Sequence, residues 1–178
     1  DPNWFRIGQS VNESLFEQID EYTKNHKDKP LFIWVHYYDP HAPYINWEHI
    51  DLDFGKTEPE EKFIKYSKEI RYTDDNIRKL YDYLKEKGLA EDILTCITAD
   101  HGEQLGEHGY SACHFDIYSE TTLVPLVFHG YGVPEGKVID NYVTTMDIAP
   151  TLLGMLNLSF RKPVHGMNLL DEDNDPKP

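Results

Sequence analysis

Hydrophobic positions along the chain switch between helical and strand spacing. From Val11 to Tyr22, the apolar residues Leu15, Phe16 and Ile19 recur at helical spacing, and Pro30 closes the polar stretch that follows. This predicts a surface helix. Leu31-Phe32-Ile33-Trp34-Val35-His36-Tyr37 is a continuous apolar and aromatic run between Pro30 and Pro40, which predicts a buried strand. The loop Asp39-Pro40-His41-Ala42-Pro43-Tyr44 leaves its end. Between Glu60 and Lys87, Phe63, Ile70, Ile77 and Leu84 stand at multiples of seven, with Leu80 and Tyr81 on the same face, predicting a long amphipathic helix. Gly88 sits where a left-handed C-terminal cap belongs. Ile93 to Thr98 and Pro125 to Phe128 predict two further strands, and Asp147 is placed to cap a helix through Leu156 with Pro150 in its first turn.

Strands alternating with helices predict an α/β fold, a mostly parallel central sheet flanked by helices, in which ligands collect beyond the carboxyl ends of the strands. Both His41 and Asp100 fall at such ends. The length of 178 residues fits one compact domain, taken here as residues 1–170 with an acidic tail at 171–178. No apolar run approaches the roughly 20 residues of a membrane-spanning helix.

Charge narrows the partners. A formal net charge of -15 argues against docking on nucleic acid or an anionic membrane, either of which needs clustered Lys and Arg. The runs Glu58-Pro59-Glu60-Glu61 and Asp171-Glu172-Asp173-Asn174-Asp175 read as solvated surface. Cys96 and Cys113 are too few for a disulfide framework and lack zinc-ribbon spacing. The chain opens at Asp1-Pro2-Asn3 without Met, so its start says nothing about a leader, and localisation stays open.

Asp100 and His101 leave a strand end together, offering a carboxylate oxygen and an imidazole nitrogen to a divalent cation, while Gly102 permits a sharp turn. The dipeptide alone fits an Asp capping a turn beside a partly buried His at least as well. Its surroundings change that balance. Thr98-Ala99-Asp100-His101-Gly102-Glu103 continues through Gly106-Glu107-His108-Gly109 to His114, Tyr118, Glu120 and Val124-Pro125-Leu126. Upstream stand His36-Tyr37-Tyr38-Asp39-Pro40-His41-Ala42-Pro43-Tyr44 and a helix through Glu69, Ile70, Asp74 and Ile77. Downstream stand Met146-Asp147-Ile148-Ala149-Pro150-Thr151 and His165-Gly166-Met167-Asn168-Leu169-Leu170.

In this order and spacing, the set from Leu31 to Leu170 resembles the C-terminal part of the catalytic domain of the sulfatase family, in the alkaline phosphatase-like superfamily. The resemblance implies a truncated alkaline phosphatase-like fold, with Asp100 and His101 as metal ligands and His41 and His114 as catalytic contacts to sulfuryl or phosphoryl oxygens. It implies a divalent metal, Ca²⁺ first, with Mn²⁺ or Zn²⁺ as alternatives, and a small-molecule or glycan sulfate ester as substrate. His114 stands where many family members have Lys. His108 reads as a brace for the loop, Asp74 as a helix-face ion-pair residue, and Trp47 as a packed loop residue or a pocket wall.

The family's nucleophile, a Cys or Ser in Cys/Ser-x-Pro-x-Arg that becomes formylglycine, or a Thr or Ser, has no counterpart in this sequence. Its N-terminal Asp metal ligands have none either. Two ligands do not close a cation site, since Ca²⁺ takes six to eight oxygens and Zn²⁺ commonly four ligands. The sequence therefore reads as a fragment, inactive alone, whose partner is the missing N-terminal part of the same polypeptide. Three functions stay open: part of a sulfate ester hydrolase; part of a phosphate or phosphonate ester hydrolase, or of a phosphoethanolamine or glycerophosphate transferase; or a non-catalytic acidic interaction domain.

Overall fold

The computed structural model describes residues 8–27, 29–44, 47–55, 60–109 and 116–171. All of the proposed tail at 171–178 except Asp171 lies outside them. The chain divides into two compact units, residues 1–89 with 103–121, and residues 90–102 with 122–178.

The first unit is built on helices α1 (Gly8–Asn25) and α2 (Glu61–Glu86), with the short α3 (Ser119–Thr122) beginning in it. The helical spacing reported above is what pairs α1 with α2. Ile19 is almost fully buried, as are Tyr72 and Leu84, and the ring of Phe16 stacks on Tyr83 at 4.0 Å. A polar bridge runs through this apolar contact: Asn12, 3% exposed, donates to the Asn76 carbonyl at 2.8 Å and accepts the Tyr37 hydroxyl at 2.6 Å. Buried amides persist in a core only when satisfied, so this bridge fixes the pairing of helix, helix and the 31–38 segment. Gly88 adopts φ +70°, with its amide on the Lys85 carbonyl and the Leu89 amide on the Leu84 carbonyl, the cap expected of it.

The run at 31–37 departs from expectation. Its residues alternate between half-buried and exposed, with Phe32 82% and Trp34 81% exposed, so the segment has the period of a strand. It forms no ladder, because among the described residues no strand lies beside it. Apolar content predicted burial, whereas a strand also needs a hydrogen-bonded neighbour.

The second unit holds the sheet. Strands β1 (Leu94–Thr98) and β2 (Leu126–Gly130) pair antiparallel, from Leu94 opposite Gly130 to Thr98 opposite Leu126. The α/β class stands, but the strand pairing among the described residues is not the parallel one expected. The chain leaves β1 at Thr98 and re-enters at Leu126, the same end of the ladder, so the second strand runs back along the first. After β2 comes a 3₁₀ turn, Thr145–Asp147, leading into α4 (Ile148–Met155).

Asp147 does not act as the N-cap expected of it. Its carboxylate reaches back to the Thr144 amide at 2.7 Å and hydroxyl at 3.1 Å, the acidic half of a capping box that begins one turn earlier. Thr151, fully buried, accepts the Leu169 amide at 3.0 Å and donates to the Asp147 carbonyl at 2.6 Å, which clamps the 165–170 segment onto α4.

Candidate functional site

In the second unit, Asp100 and His101 emerge two residues beyond β1, as the sequence placed them. The Asp100 Oδ1 atom accepts the amide of the next residue, His101, at 3.0 Å, which holds the carboxylate beside its neighbour. His101 Nδ1 lies 2.8 Å from the Gly102 carbonyl. A carbonyl only accepts, so Nδ1 carries a proton, and the neutral form of the ring presents the Nε2 lone pair. That Nε2 is 3.8 Å from Asp100 Oδ2, less than the sum of two ligand bonds of about 2.0–2.4 Å, so one cation could bind both atoms. Orientation of a metal-binding imidazole through its other nitrogen is the usual supporting arrangement. The donor set thus fits a divalent cation. Among the described residues, however, no cluster of three or more His, Cys, Asp or Glu could close round one.

In the first unit, His41 follows a tight turn in which its amide donates to the Tyr38 carbonyl at 3.1 Å. Its ring stacks on Tyr38 at 4.5 Å, and its Nδ1 contacts the Ala42 carbonyl, which directs the other nitrogen away from the local backbone. His114, the other predicted anion contact, lies outside the described residues, as does Cys113.

The Gly-Glu-His-Gly turn is braced as expected. Glu107 accepts the amides of Leu105 at 2.7 Å and Gly106 at 3.1 Å, and its own amide first, then these two, hold its carboxyl below the usual range. His108 stacks on Tyr118 at 3.6 Å and its Nε2 meets Glu120 Oε2 at 3.2 Å. Both contacts are internal to the loop and α3. Asp74 is exposed, and the helix-face ion pairs are made by Asp75, with Arg71 at 3.3 Å and Arg78 at 2.7 Å. Asp75 stands four residues after Arg71 and three before Arg78, so one carboxylate serves both guanidinium groups.

One group of residues was not singled out from the sequence. Lys62, Tyr66 and Glu69 share a face of α2 and hold two loops. Lys62 donates to the Leu105 carbonyl at 3.2 Å, the Tyr66 ring packs against Tyr44 at 5.5 Å, and Glu69 accepts the Trp47 indole at 2.8 Å. Trp47 also stacks on Tyr72 at 4.1 Å, so it is packed on α2, in line with the packed-loop reading. Beside Tyr44 lies Glu103. Burial, then the Glu103 charge, push the Tyr44 and Tyr66 phenols above their ordinary range. The signal was available in the i, i+4, i+7 spacing of Lys62, Tyr66 and Glu69, but polar residues at that spacing read equally well as a solvated face.

Asp-His-Gly-Glu at the end of a strand is the feature on which the resemblance to the alkaline phosphatase-like superfamily rests. The sequence profile of the sulfatase family matches residues 2–158. The chain belongs to the sulfatase family. A low-salt glycan biosynthesis sulfotransferase, Agl7, from Haloferax volcanii is 30% identical over 157 residues, covering 83% of this chain and 38% of the relative. In fold the chain is similar to Ps i-CgsB, solved with k-i-k-neocarrahexaose, at TM-score 0.71 and 20% identity, over 92% of this chain and 37% of that one. It is also similar to the phosphonate monoester hydrolase SpPMH from Silicibacter pomeroyi, at TM-score 0.53 and 28% identity, over 66% of this chain and 24% of that one. The chain thus spans well under half the length of these relatives.

Proposed function

We propose that this chain is the C-terminal portion of the catalytic domain of a metal-dependent sulfate ester hydrolase and is inactive on its own. The observation that carries the reading is the Asp100–His101 pair, with Nδ1 of His101 committed to the Gly102 carbonyl and Nε2 near Asp100 Oδ2. In this reading Asp100 and His101 hold part of a divalent cation site, for Ca²⁺ or alternatively Mn²⁺ or Zn²⁺. The bound cation would supply Lewis-acid polarisation of the ester and a lowered pKa for the nucleophile. His41 and His114 contact the sulfuryl oxygens, where an imidazole stabilises developing charge or protonates the leaving oxygen. The nucleophile, formylglycine in a sulfatase, and the remaining ligands come from an N-terminal part of the same polypeptide. The short share of each relative that this chain spans supports that division.

A second reading, phosphoryl or phosphonyl transfer at the same site, has a specific support in the similarity to a phosphonate monoester hydrolase and in an imidazole ligand suited to Mn²⁺ or Zn²⁺. Calorimetric titration of the chain with Ca²⁺, Mn²⁺ and Zn²⁺, repeated on Asp100→Asn and His101→Ala, tests the cation site. Binding that both substitutions weaken is expected, and equal binding by the variants rejects the assignment. Turnover of aryl sulfates or phosphate esters by the chain alone would refute the division of the active site. In a polypeptide extended to full length, the ratio of sulfate to phosphonate ester turnover separates the two readings.

A further inference from the structure

We propose that Asn12 is a positioning residue for His41, acting through the Tyr37 hydroxyl. The inference rests on the reading of His41 as an oxyanion contact, but its evidence lies within the first unit. The 31–38 segment has strand spacing without a ladder neighbour among the described residues, so backbone pairing does not set its register. Side chains of α1 do that instead. Tyr22 donates its hydroxyl to the Pro30 carbonyl at 2.9 Å in an exposed bond, and Asn12 accepts the Tyr37 hydroxyl at 2.6 Å in a partly buried one. Asn12 also donates to the Asn76 carbonyl of α2 at 2.8 Å, and Asn76 is fully buried, so the acceptor offered to Tyr37 is fixed by two helices at once. A buried amide with its oxygen and its nitrogen both engaged holds one orientation, whereas a hydroxyl bond at the surface competes with water.

Successive side chains of an extended segment point to opposite sides, so Tyr37 turns inward to Asn12 and Tyr38 turns outward. Tyr38 carries His41: its carbonyl accepts the His41 amide at 3.1 Å, and its ring stacks on the imidazole at 4.5 Å with 18° between the planes. The His36 ring, on the same outward side, meets Tyr38 edge-on at 6.2 Å. A shift of Tyr37 along α1 therefore takes with it Tyr38 and the imidazole stacked on it. A slip by one residue would exchange the two faces and turn Tyr38 inward. Asn12 thus acts on the imidazole through two adjacent tyrosines and does not contact substrate.

The test is NMR of the histidine side chains with amide hydrogen exchange, on the wild-type chain, Tyr37→Phe, Asn12→Ala, their double variant and Tyr22→Phe. In Tyr37→Phe the His41 ring resonances are expected to move, and exchange of the His41 amide should quicken about tenfold, the scale of one lost hydrogen bond. The protection of α1 and α2 and the resonances of His129 in β2 should stay. Asn12→Ala should move the His41 resonances in the same direction, and the double variant should add little to either, since both changes remove one bond. Tyr22→Phe releases the other end of the segment and should leave the His41 signal in place. If Asn12→Ala does not fold, Tyr37→Phe against Tyr22→Phe decides alone. An unmoved His41 signal in Tyr37→Phe, an equal shift in Tyr22→Phe, additive shifts in the double variant, or a shift accompanied by equal loss of helix protection overturns the proposal. Inorganic sulfate titrated into the wild-type chain reports separately on the oxyanion reading: no response at His41 rejects that reading and leaves the positioning measurement intact.

Discussion

Asp147 holds Met167 across twenty residues of chain, its Oδ1 accepting the Met167 amide at 2.9 Å while Oδ2 takes the Thr144 amide at 2.7 Å. One buried carboxylate thereby starts a helix and docks the segment that follows it. Asp147→Ala removes three acceptor contacts from a site that is 5% exposed, and should lower stability by about 2–3 kcal/mol, more than a surface cap alone would cost. Chemical denaturation followed by circular dichroism measures this. A loss below about 0.5 kcal/mol would mean that the 165–170 segment does not depend on the clamp.

Asp147 also shows where sequence reading stops. Helices were legible because amphipathic spacing is local: the periodicity that placed Leu15, Phe16 and Ile19 on one face is the periodicity that buries Ile19 in α1. The Asp-His-Gly-Glu strand end was legible because its ordered motifs are a family signature, and the family assignment stands. What escaped depends on tertiary partners. A run such as Leu31–Tyr37 looks the same whether or not a second strand lies beside it, and a helix start looks the same whether its acid caps forward or reaches back to Thr144. The α2 face that holds both loops went unread for a related reason. Lys62, Tyr66 and Glu69 are polar, and only the presence of Tyr44, Trp47 and Leu105 beside them separates a platform from a solvated surface.

Two glycines should respond very differently to the same methyl group. Gly88 has φ +70° with open space around its missing side chain, so Gly88→Ala should cost about 1 kcal/mol for the left-handed backbone alone. Gly130 has φ +98°, and a Cβ there would stand 2.0 Å from the Ile93 carbonyl oxygen, which is backbone and cannot rotate away. Gly130→Ala should therefore cost about 3 kcal/mol or more, strain and overlap together. Denaturation midpoints of the two variants provide the comparison, and equal losses would count against the tight β1–β2 end.

Alkaline pH should destabilise the first unit through Tyr37. Burial first, then the Asp39 carboxylate, push its phenol from 10.0 up to about 12. A phenol raised on folding stabilises while both states stay protonated, below about pH 10. As pH climbs from 10 to 12 the unfolded chain ionises first, so that stability is lost across this window. Denaturation curves at stepped pH should show a decline that is shallower in Tyr37→Phe than in wild type. Parallel declines would remove Tyr37 as the cause.

Trp47 offers the sharpest division between a packed loop and a pocket wall. Its indole donates to Glu69, a side chain 1% exposed, and its ring lies on Tyr72. Trp47→Phe keeps most of the stacking and removes one donor from a buried carboxylate, which should cost about 1–3 kcal/mol. The same change made on Glu69→Gln should cost less, because a neutral amide short of one donor bears a smaller desolvation penalty than a charged carboxylate. A double-mutant cycle on this pair should therefore give a coupling of at least about 0.5 kcal/mol, with circular dichroism as the readout. Additive losses would show that the indole contributes by ring packing alone, and an unchanged stability in Trp47→Phe would return Trp47 to candidacy as a substrate contact.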